Sequence, residues 1–389
     1  MVVKRTNGKI VRVGIVGGGW AGAACARVLA DAGCQVEIFE SAQVVGGHSR
    51  AGTLNGVVYE PNGPHVFHTN DEEVAAFAMR FGVSRPYKHE VATVIHPYDD
   101  DESWLLAWPP QVEDLRELRI WPRIEAELAR CPPQPSGDNF ETYSISLMGP
   151  TLYHLFVYGY TRKQWGCEPR ALSSSFAPSR LDLRRDGDRR LFRDRFQFFE
   201  ADGFNSVIER VAAPAVVNTG SRMGIQDLIA LGARFDAWVV TAALDEFVAE
   251  PETLGWRGIE TRPRYQPVNS PDETATASYV INHPDLRYPF TRTVESKHAT
   301  GQSIAGTVVC EEYPGAPQRH YPVPTVDGRY ERRNDELRTR IRDLCPVTVD
   351  FCGRLATYRY INQDQAIRQG LDCARRVLTS MHSGVDEST

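Results

Sequence analysis

A glycine-rich turn between a β-rich segment and a helix-like segment is the feature that most constrains the fold of this chain. "VRVGIV" at residues 11–16 precedes "GGGWAG", and the apolar spacing of the following "ACARVLADAG" predicts a helix that stops at Gly33. Gly17, Gly19 and Gly22 match the G-x-G-x-x-G pattern, which combines a tight turn, close approach of a pyrophosphate and close helix–strand packing. We therefore expect a strand–turn–helix unit that holds a dinucleotide at the helix N-terminus.

A second β-rich segment, "QVEIFE", ends in an acidic residue at the position expected for ribose binding. Glu40 lies 18 residues after Gly22, where a carboxylate can accept hydrogen bonds from ribose hydroxyls. Gly46 and Gly47 follow shortly afterwards and resemble the second glycine fingerprint of flavoproteins. This pair favours FAD over NAD as the cofactor, the alternative being an ordinary glycine turn.

Composition sets the outer limits on size and class. A chain of 389 residues predicts two or three domains, and 42% hydrophobic with 24% charged residues is typical of globular proteins. The net charge of −6 argues against nucleic acid as a partner. Eight cysteines without a C-x-x-C pair, and no signal-like apolar start, favour free thiols in a reducing cytoplasm. No apolar run approaches the roughly 18 residues of a membrane span.

The middle and end of the chain show different periodicities. "DEEVAAFAMRFG", "QVEDLRELRIWPRIEAELAR" and "SISLMGPTLYHLFVYGYTRKQW" carry helical spacing between proline-rich loops, which predicts a helical insert. Strand-like composition returns in "RFDAWVVTAA", "TASYVINHP" and "VTVDFCGR". The segment "QDQAIRQGLDCARRVL" then predicts an amphipathic helix near the end of the chain.

A series of motifs makes the chain similar to one enzyme family. In order they are "VGIVGGGWAGA", "VVGGHS", "NGPHVFHT", "YGYTRKQWG", "DGFNSVIERV", "YPFTRTVESKH", "EEYPG", "HYPVP" and "GRLATYRYIN". Their order and spacing resemble those of the UDP-galactopyranose mutases, flavoenzymes that interconvert the six-membered and five-membered ring forms of a nucleotide sugar. "GPHVFHT" and "YTRKQWG" are not general flavoprotein features, so the resemblance does not depend on the nucleotide fold alone.

The resemblance and the sequence patterns together imply an α/β fold with three parts. These are a Rossmann-like FAD-binding domain, a helical-bundle insert and an antiparallel β-sheet substrate domain with a mobile lid near residues 166–180. The expected boundaries are 9–75, 203–250 and 345–380 for the FAD-binding domain, 76–170 for the helical domain, and 171–202 with 251–344 for the substrate domain.

The resemblance also implies which residues contact the flavin. The "GPHVFHT" loop would place His65 near the reactive flavin nitrogen and His68 behind it, where a purely structural hydrogen-bonding role is the alternative for His68. A helix starting near Gln363 would direct its N-terminus at the pyrimidine end of the flavin. The expected flavin contacts beyond the glycines and Glu40 are His48, His65, Arg354, Asn362 and Gln363.

The substrate contacts follow from the same resemblance. Tyr160 would stack on the base, and Trp165 would border the lid, although simple core packing is an alternative for Trp165. Two guanidinium groups converging on a diphosphate would bind it and stabilise its charge as it leaves the sugar. The expected substrate residues are Tyr160, Trp165, Arg180, Arg292, Tyr313, Tyr360 and Asn362, of which Arg180 and Arg292, with His65, are the expected catalytic residues.

Three positions depart from the family pattern. Leu191 stands where a tyrosine is usual, Asn362 where an acid is usual, and Asn62 where a tyrosine commonly precedes "GPH". An amide in place of a carboxylate removes a charge and adds a donor, which changes the sugar or nucleotide groups that are tolerated. A deoxysugar or a different nucleotide is therefore an alternative to UDP-galactose.

The resemblance implies covalent flavin catalysis without net redox. Reduced FAD would form an adduct between its N5 and the sugar of a nucleoside-diphosphate sugar, with NADPH or another external reductant keeping it reduced. A homodimer is expected from related bacterial enzymes. The sequence shows no metal-binding cluster and no nucleophile–histidine set. A flavin oxidoreductase of the same superfamily and an inactive sugar-nucleotide binder are the alternatives.

Overall fold

The computed structural model describes residues 10–82, 85–98, 102–232 and 234–383. Strands within these ranges form two larger sheets and two small ones. In chain order they are β1 (Arg12–Val16), β2 (Gln35–Phe39), β3 (Gly52–Leu54), β4 (Val57–Tyr59), β5 (Phe67–Thr69), β6 (Arg85–Pro86), β7 (Val91–Ile95), β8 (Trp104–Trp108), β9 (Phe196–Phe199), β10 (Val216–Asn218), β11 (Ala237–Val240), β12 (Trp256–Gln266), β13 (Val280–Asn282), β14 (Arg292–Val294), β15 (Thr307–Pro322) and β16 (Thr348–Phe351).

The α-helices range from single turns to one of 21 residues near the end of the chain. They are α1 (Trp20–Asp31), α2 (Glu72–Phe81), α3 (Val112–Leu115), α4 (Trp121–Leu128), α5 (Phe140–Leu152), α6 (Gly159–Trp165), α7 (Asn205–Ala212), α8 (Ile225–Ala230), α9 (Leu244–Phe247), α10 (Lys297–Thr300), α11 (Arg329–Leu344), α12 (Arg354–Thr357) and α13 (Gln363–Ser383). Short 3₁₀ segments occur at Gly47–Ser49, Pro169–Ala171 and Ser174–Ser179, and a π-helical segment at Tyr153–Tyr158.

The first large sheet confirms the predicted Rossmann-like unit. Its five strands are all parallel, in the order β10-β2-β1-β11-β16. Val16 is paired with Phe39 on one side and with Val240 on the other, so these three strands end at one edge. The carboxyl edge of a parallel sheet is where open α/β folds bind ligands. Gly17 and Glu40 therefore follow their strands into one site.

Helices α1 and α13 cover one face of this sheet and pack unusually closely. A Cβ atom added to Gly370 of α13 would lie 2.4 Å from the carbonyl oxygen of Ala21 in α1. The absence of that atom lets the two helices meet, and it positions the first residue of α13, Gln363, at the carboxyl edge of the sheet. The close packing thus carries a residue from the end of the chain to the first glycine turn.

The second large sheet corrects two expectations. Its order is β12-β15-β14-β13-β7-β8, and it is mixed rather than purely antiparallel, because β13 and β7 pair in parallel. Strands β7 and β8 also fall within 76–170, which we expected to be helical, so the helical part starts only at α3. The segment "VATVI" at 91–95 buries alternate residues, as expected of a half-buried strand. An alternation of only five residues is a weak strand signal between longer helical patterns.

The helical part brings aromatic side chains over the second sheet. Its main helix, α5, is capped by Asn139, whose side chain accepts a hydrogen bond from the backbone N–H of Thr142 in a capping box. A kink at Gly149, with φ of 77°, leads into the π-helical segment and then into α6. Helix α6 ends at Gly166 in the left-handed conformation, with φ of 67°. The kinked connection carries the predicted "YTRKQW" segment to the cavity described below.

The state of the cysteines and the apolarity of the helices relate to two further expectations from the sequence. Each of the eight cysteines lies within the described ranges and is a free thiol there. Among the helices of those ranges, none combines the length and apolarity that crossing a bilayer requires.

Candidate active site

The first glycine turn forms a cradle that no larger residue could form. Gly17 has φ of 101°, and a Cβ atom there would lie 2.1 Å from Oγ1 of Thr241. A Cβ atom on Gly22 would lie 2.0 Å from the carbonyl oxygen of Gly17, so the turn and α1 pack in backbone contact. Gly19, by contrast, has only Gly47 within 4 Å of such an atom and faces open space. The turn is closed toward the protein and open toward the cavity.

Glu40 and the second glycine pair complete the cradle. One oxygen of the Glu40 carboxylate accepts a hydrogen bond of 2.7 Å from the backbone N–H of Gly18, and the other accepts one of 2.8 Å from that of Ala42. Gly46 has φ of 126° and donates its N–H to the carbonyl oxygen of Gly18 at 2.9 Å. The predicted residues therefore meet around one loop, and the remaining lone pairs of Glu40 stay available to hydroxyl groups.

The cradle opens into a cavity of about 600 Å³, which we call the first cavity. Its walls include both glycine fingerprints, Glu40, His48 and the start of α12. His48 stacks on His320 with ring centroids 4.0 Å apart, and burial lowers its pKa well below the usual value. An anion-binding helix terminus, an open glycine surface and a buried acid fit the diphosphate and ribose of a dinucleotide.

A second cavity, of about 560 Å³, lies against the mixed sheet. Helices α5 and α6 form one wall, and β13 with β14 forms another. Four residues line both cavities, and all four were expected to contact the flavin: His65, Arg354, Asn362 and Gln363. A group that extends from the first cavity therefore reaches the wall of the second one at these residues.

The His65 loop is held from both sides by hydrogen bonds. The backbone N–H of His65 donates to Oε1 of Glu60 at 2.7 Å, and its carbonyl oxygen accepts from Nε2 of Gln363 at 2.7 Å. Gly63 enters the loop with φ of 95°. Burial and the nearby Arg354 charge lower the pKa of His65 to about 3, so its ring is neutral at physiological pH. The ring is thus fixed at the junction as an uncharged hydrogen-bonding group.

Glu60 is a buried carboxyl group behind this loop. Besides the His65 N–H it accepts hydrogen bonds from the hydroxyl groups of Tyr279 and, at 3.1 Å, Ser296. Burial raises the pKa of Glu60 to about 7, despite these hydrogen bonds. A single glutamate before a proline carries no motif, so the sequence alone does not indicate this role for Glu60.

We expect Glu60→Gln to change how stability depends on pH. Between its unfolded pKa of 4.5 and its folded value of about 7, folded Glu60 retains a proton that the unfolded chain releases. Wild-type stability therefore falls as pH rises through this window, by about 3 kcal/mol at most. Thermal melts of both proteins at pH 5 and pH 8 should show a smaller pH effect in the variant, and parallel curves would contradict the assignment.

His68 lies next to the loop in a fixed tautomer. Its Nδ1 is 2.6 Å from Oδ2 of Asp194, and its Nε2 is 3.2 Å from the amide nitrogen of Asn362. The amide nitrogen can only donate, so Nε2 accepts its hydrogen bond and Nδ1–H donates to Asp194. The His68 ring stacks on Phe192 with centroids 3.4 Å apart. Both nitrogens are thus engaged, which favours the structural alternative for His68.

Arg292 enters the second cavity from the start of β14 in a buried ion pair. Its Nε lies 2.7 Å from Oε2 of Glu312, whose side chain is only 1% exposed. Burial alone would lower the pKa of Arg292. The Glu312 carboxylate outweighs burial and raises this pKa well above its usual value. The guanidinium is therefore a permanent positive charge on the cavity wall, oriented by the carboxylate behind it.

Two further arginines and two tyrosines complete a positively charged region. The guanidinium of Arg180 lies 3.9 Å from the centroid of the Tyr360 ring, which stacks on Tyr321 at 5.2 Å. Arg354 lies 5.3 Å and 5.4 Å from the same two rings. Burial alone would raise the pKa of Tyr360, but Arg180, Arg354 and Arg292 lower it. Three cations and two phenols around one space fit a diphosphate.

The aromatic residues expected at the substrate site lie on α6, in the wall of the second cavity next to Tyr360. Tyr160 lines the cavity from α6, and Trp165 contacts the Tyr360 and Phe176 rings at 6.1 Å and 5.6 Å. Phe176, within the predicted lid, also stacks on Phe140 of α5 at 4.8 Å. Trp165 therefore both packs and lines the cavity, while the mobility of the lid stays a prediction.

Lys163 fastens the loop that leads to Arg292. Its ammonium group donates to the carbonyl oxygens of four residues, at distances from 2.6 to 3.0 Å; these are His283, Asp285, Tyr288 and Phe290. Three N–H donors thus hold residues 283–290 against α6. Burial lowers the pKa of this amine to about 8.

We expect Lys163→Met to destabilise the protein by about 2–4 kcal/mol, because several charge-assisted hydrogen bonds are lost and buried carbonyl groups are left unpaired. Lys88→Met is the matched control, since Lys88 is exposed. Urea denaturation of both variants measures the difference. Equal denaturation midpoints would show that the hydrogen bonds from Lys163 to the four carbonyl oxygens contribute nothing to stability.

One predicted substrate residue lies elsewhere. Tyr313 does not line the second cavity; its hydroxyl donates to Glu311 at 2.7 Å, and its ring lies under the guanidinium of Arg262. Tyr313, expected among the substrate residues, therefore lies outside the wall of the second cavity. The cavity wall instead contains Tyr321, from the quoted motif "HYPVP", whose pKa burial raises to about 12. The other predicted substrate residues, Tyr160, Trp165, Arg180, Arg292, Tyr360 and Asn362, all line the second cavity.

Two family profiles match different parts of this chain. The profile described as "UDP-galactopyranose mutase" matches residues 155–360, slightly more than half of the chain. The profile described as "NAD(P)-binding Rossmann-like domain" matches residues 15–81, which contain the glycine cradle and Glu40.

Relatives align along almost the whole chain. A dTDP-fucopyranose mutase of Escherichia coli is 26% identical, covering 94% of this chain and 97% of its own. A Klebsiella pneumoniae protein named "Probable UDP-galactopyranose mutase" is 27% identical and covers 94% of each chain.

Solved structures share the fold. A crystal structure of reduced UDP-galactopyranose mutase matches with a TM-score of 0.71 and 16% identity over 95% of this chain and 96% of that one. An oxidoreductase from Methanosarcina mazei matches with a TM-score of 0.60 and 13% identity over 93% and 99%. Because the mutase profile covers more than half of the chain, and named mutases align along nearly all of it, this chain belongs to the UDP-galactopyranose mutase family of isomerases.

Proposed function

We propose that the protein is a flavin-dependent isomerase that interconverts the pyranose and furanose forms of a nucleoside-diphosphate sugar without net redox. One observation carries the proposal. The dinucleotide cavity and the arginine-lined cavity share the wall formed by His65, Arg354, Asn362 and Gln363. A flavin ring at that wall would meet a sugar whose diphosphate lies among the arginines.

The residues of the second cavity divide the substrate into three parts. Tyr160 and the aromatic side chains of α5 and α6 offer flat apolar faces to a base. Arg180 and Arg292 hold the diphosphate and stabilise the charge that develops when it separates from the anomeric carbon. The sugar then lies between these arginines and the shared wall, where its ring can open and close.

Reduced FAD, when bound, supplies a nucleophile for the anomeric carbon and is regenerated unchanged, with NADPH or another external donor as the proposed reductant. The protein groups around it provide orientation. His65 is neutral and held at its backbone by Glu60 and Gln363, so it can hydrogen-bond to a flavin nitrogen without adding charge. A flavin and a substrate that fill the two cavities would displace water from them, which would protect the sugar from hydrolysis.

The test follows ring size directly. Dithionite-reduced protein is incubated anaerobically with UDP-galactopyranose and with dTDP-, GDP- and CDP-linked sugars, and the isomers are resolved by chromatography. The oxidised enzyme is the control. We expect interconversion only with the reduced form. Steady consumption of oxygen or of an electron acceptor would instead identify an oxidoreductase, and binding without any change of ring size would identify a sugar-nucleotide binder.

A further inference from the structure

The strands of the mixed sheet place residues in successive rows along the second cavity. Arg292 of β14 is paired with Asn282 of β13, which is paired with Thr93 of β7, so these three residues form one row across the sheet. Two residues further along the strands, Val280 and Val91 form the next row. Because side chains two apart share a face, the cavity floor runs from the arginine row to the valine row.

The same step taken beyond the start of β7 leads to His89, which also lines the second cavity. His89 is four positions from Thr93 in the row of Arg292, or about 13 Å at the usual rise of a strand. With the diphosphate at Arg292 and the base toward α6, the sugar lies over the valines. Its side opposite the anomeric carbon then meets the His89 end.

The wall at this end is mostly apolar and firmly held. Leu191 and Phe192 line it, and the backbone N–H of Leu191 donates to the carbonyl oxygen of His89 at 2.6 Å. The side chain of Arg184, only 4% exposed, donates to the carbonyl oxygens of Asp188, Arg190 and Leu191. The loop that carries the two apolar residues is therefore fixed against the cavity.

The polar atoms at this end are almost all engaged. His68 uses both ring nitrogens, on Asp194 and Asn362, and its ring face is covered by Phe192. His89 is buried, and its Nδ1 has no hydrogen-bond partner among the described residues. This end can therefore hydrogen-bond one hydroxyl through His89, and it offers the next substituent only apolar surface.

Resting on the proposed function, we infer that this closed end selects a nucleoside-diphosphate-linked 6-deoxyhexose, a sugar that carries a methyl group on C5. The far side of a pyranose presents the C4 hydroxyl and the C5 substituent together. His89 suits the hydroxyl, and Leu191 with Phe192 suits a methyl group. A hydroxymethyl group would lose its hydrogen bonds to water there without replacement. Because apolar pockets reject an added hydroxyl only moderately, the expected preference is about 10- to 100-fold in kcat/KM.

Three dTDP sugars of the same C2–C4 configuration, carrying hydroxymethyl, methyl or hydrogen on C5, test the inference with the reduced enzyme. We expect the methyl compound to be interconverted with the highest kcat/KM. Equal values, or a higher value for the hydroxymethyl or hydrogen compound, would overturn the inference while the proposed function stood. Failure with all three dTDP sugars and with their UDP, GDP and CDP counterparts would overturn both.

Two variants test whether the apolar wall is the cause. Leu191→Asn, nearly isosteric but polar, should reduce the methyl preference at least 5-fold, whereas Leu191→Met should keep it. Phe192→Tyr adds a hydroxyl at a second point of the wall and gives an independent measurement should Leu191→Asn not fold. An unchanged preference in the folded polar variants would refute the role of the wall.

Discussion

Arg292→Ala is expected to lower turnover by about 10²- to 10³-fold while FAD stays bound. The guanidinium is a fixed positive charge in the second cavity, and removing one such group from a site of developing negative charge has an effect of this size. Arg292 does not line the first cavity, so FAD retention should be unaffected. Anaerobic turnover of the reduced enzyme and the flavin absorbance of the purified protein measure the two effects.

Removing the Arg292 side chain also affects its ion-pair partner, Glu312. Glu312 would remain buried without its counter-charge, which costs about 3–5 kcal/mol unless the carboxyl group takes up a proton. Burial already raises the pKa of Glu312, so protonation is the expected response. Arg292→Lys keeps the charge and should retain more turnover than the alanine variant. Arg262→Ala removes an exposed arginine from the same sheet and should have no effect. Near-normal turnover in Arg292→Ala would refute the assigned role.

Gly19→Ala and Gly22→Ala are expected to fail in different ways. A Cβ atom on Gly19 meets nothing closer than 3.6 Å, so the apo-protein should keep its thermal stability. That atom would nevertheless stand where the diphosphate of a dinucleotide approaches the backbone. Overpacking of about 1–3 kcal/mol there corresponds to roughly a 10- to 100-fold loss of FAD affinity.

Gly22→Ala should instead destabilise the protein itself. Its Cβ atom would lie 2.0 Å from the carbonyl oxygen of Gly17, and backbone on both sides would have to move. We expect a loss of at least 1–3 kcal/mol in apo-protein stability. Thermal melts without FAD and titrations with FAD distinguish the two variants. An equal loss of apo-protein stability in Gly19→Ala and Gly22→Ala would contradict the assignment of Gly19 to cofactor binding and of Gly22 to helix–turn packing.

The dinucleotide half of the site could be predicted well because its signals are local. The three glycines act within one turn, and Glu40 ends the adjacent strand, so spacing alone placed them together. The motif around His65 was also local: Gly63 and Pro64 fix the loop that carries the histidine. The shared wall required more, since Gln363 reaches the His65 carbonyl oxygen only through the packing of α13 on α1.

The residues of the second cavity were predicted less completely, because the facing of each side chain in a strand determines whether it reaches the cavity. Glu312 and Tyr321 both line or support the second cavity although they are nine positions apart in β15, so simple alternation would put them on opposite faces. The register of β15 against β12 shifts twice around Gly258: Ile259 pairs with Pro314, Gly258 with Ala316 and Arg257 with Tyr321. Two steps along β12 therefore match seven along β15, and an odd number of extra residues reverses the facing of the residues beyond them. Tyr313 precedes these shifts and is adjacent to Glu312, so it faces the other side of the strand.

The sequence by itself determined the dinucleotide cradle, the helix-like and strand-like segments around it, and the residue types gathered at the site. These properties depend on backbone conformations and spacings within a few residues of one another. Tertiary structure alone decided that the two cavities share a wall, that Tyr321 of β15 lines the second cavity, and that Leu191 lies beside His89 in its wall. Contacts between residues about a hundred or more positions apart depend on how sheets and helices pack, which no local pattern records.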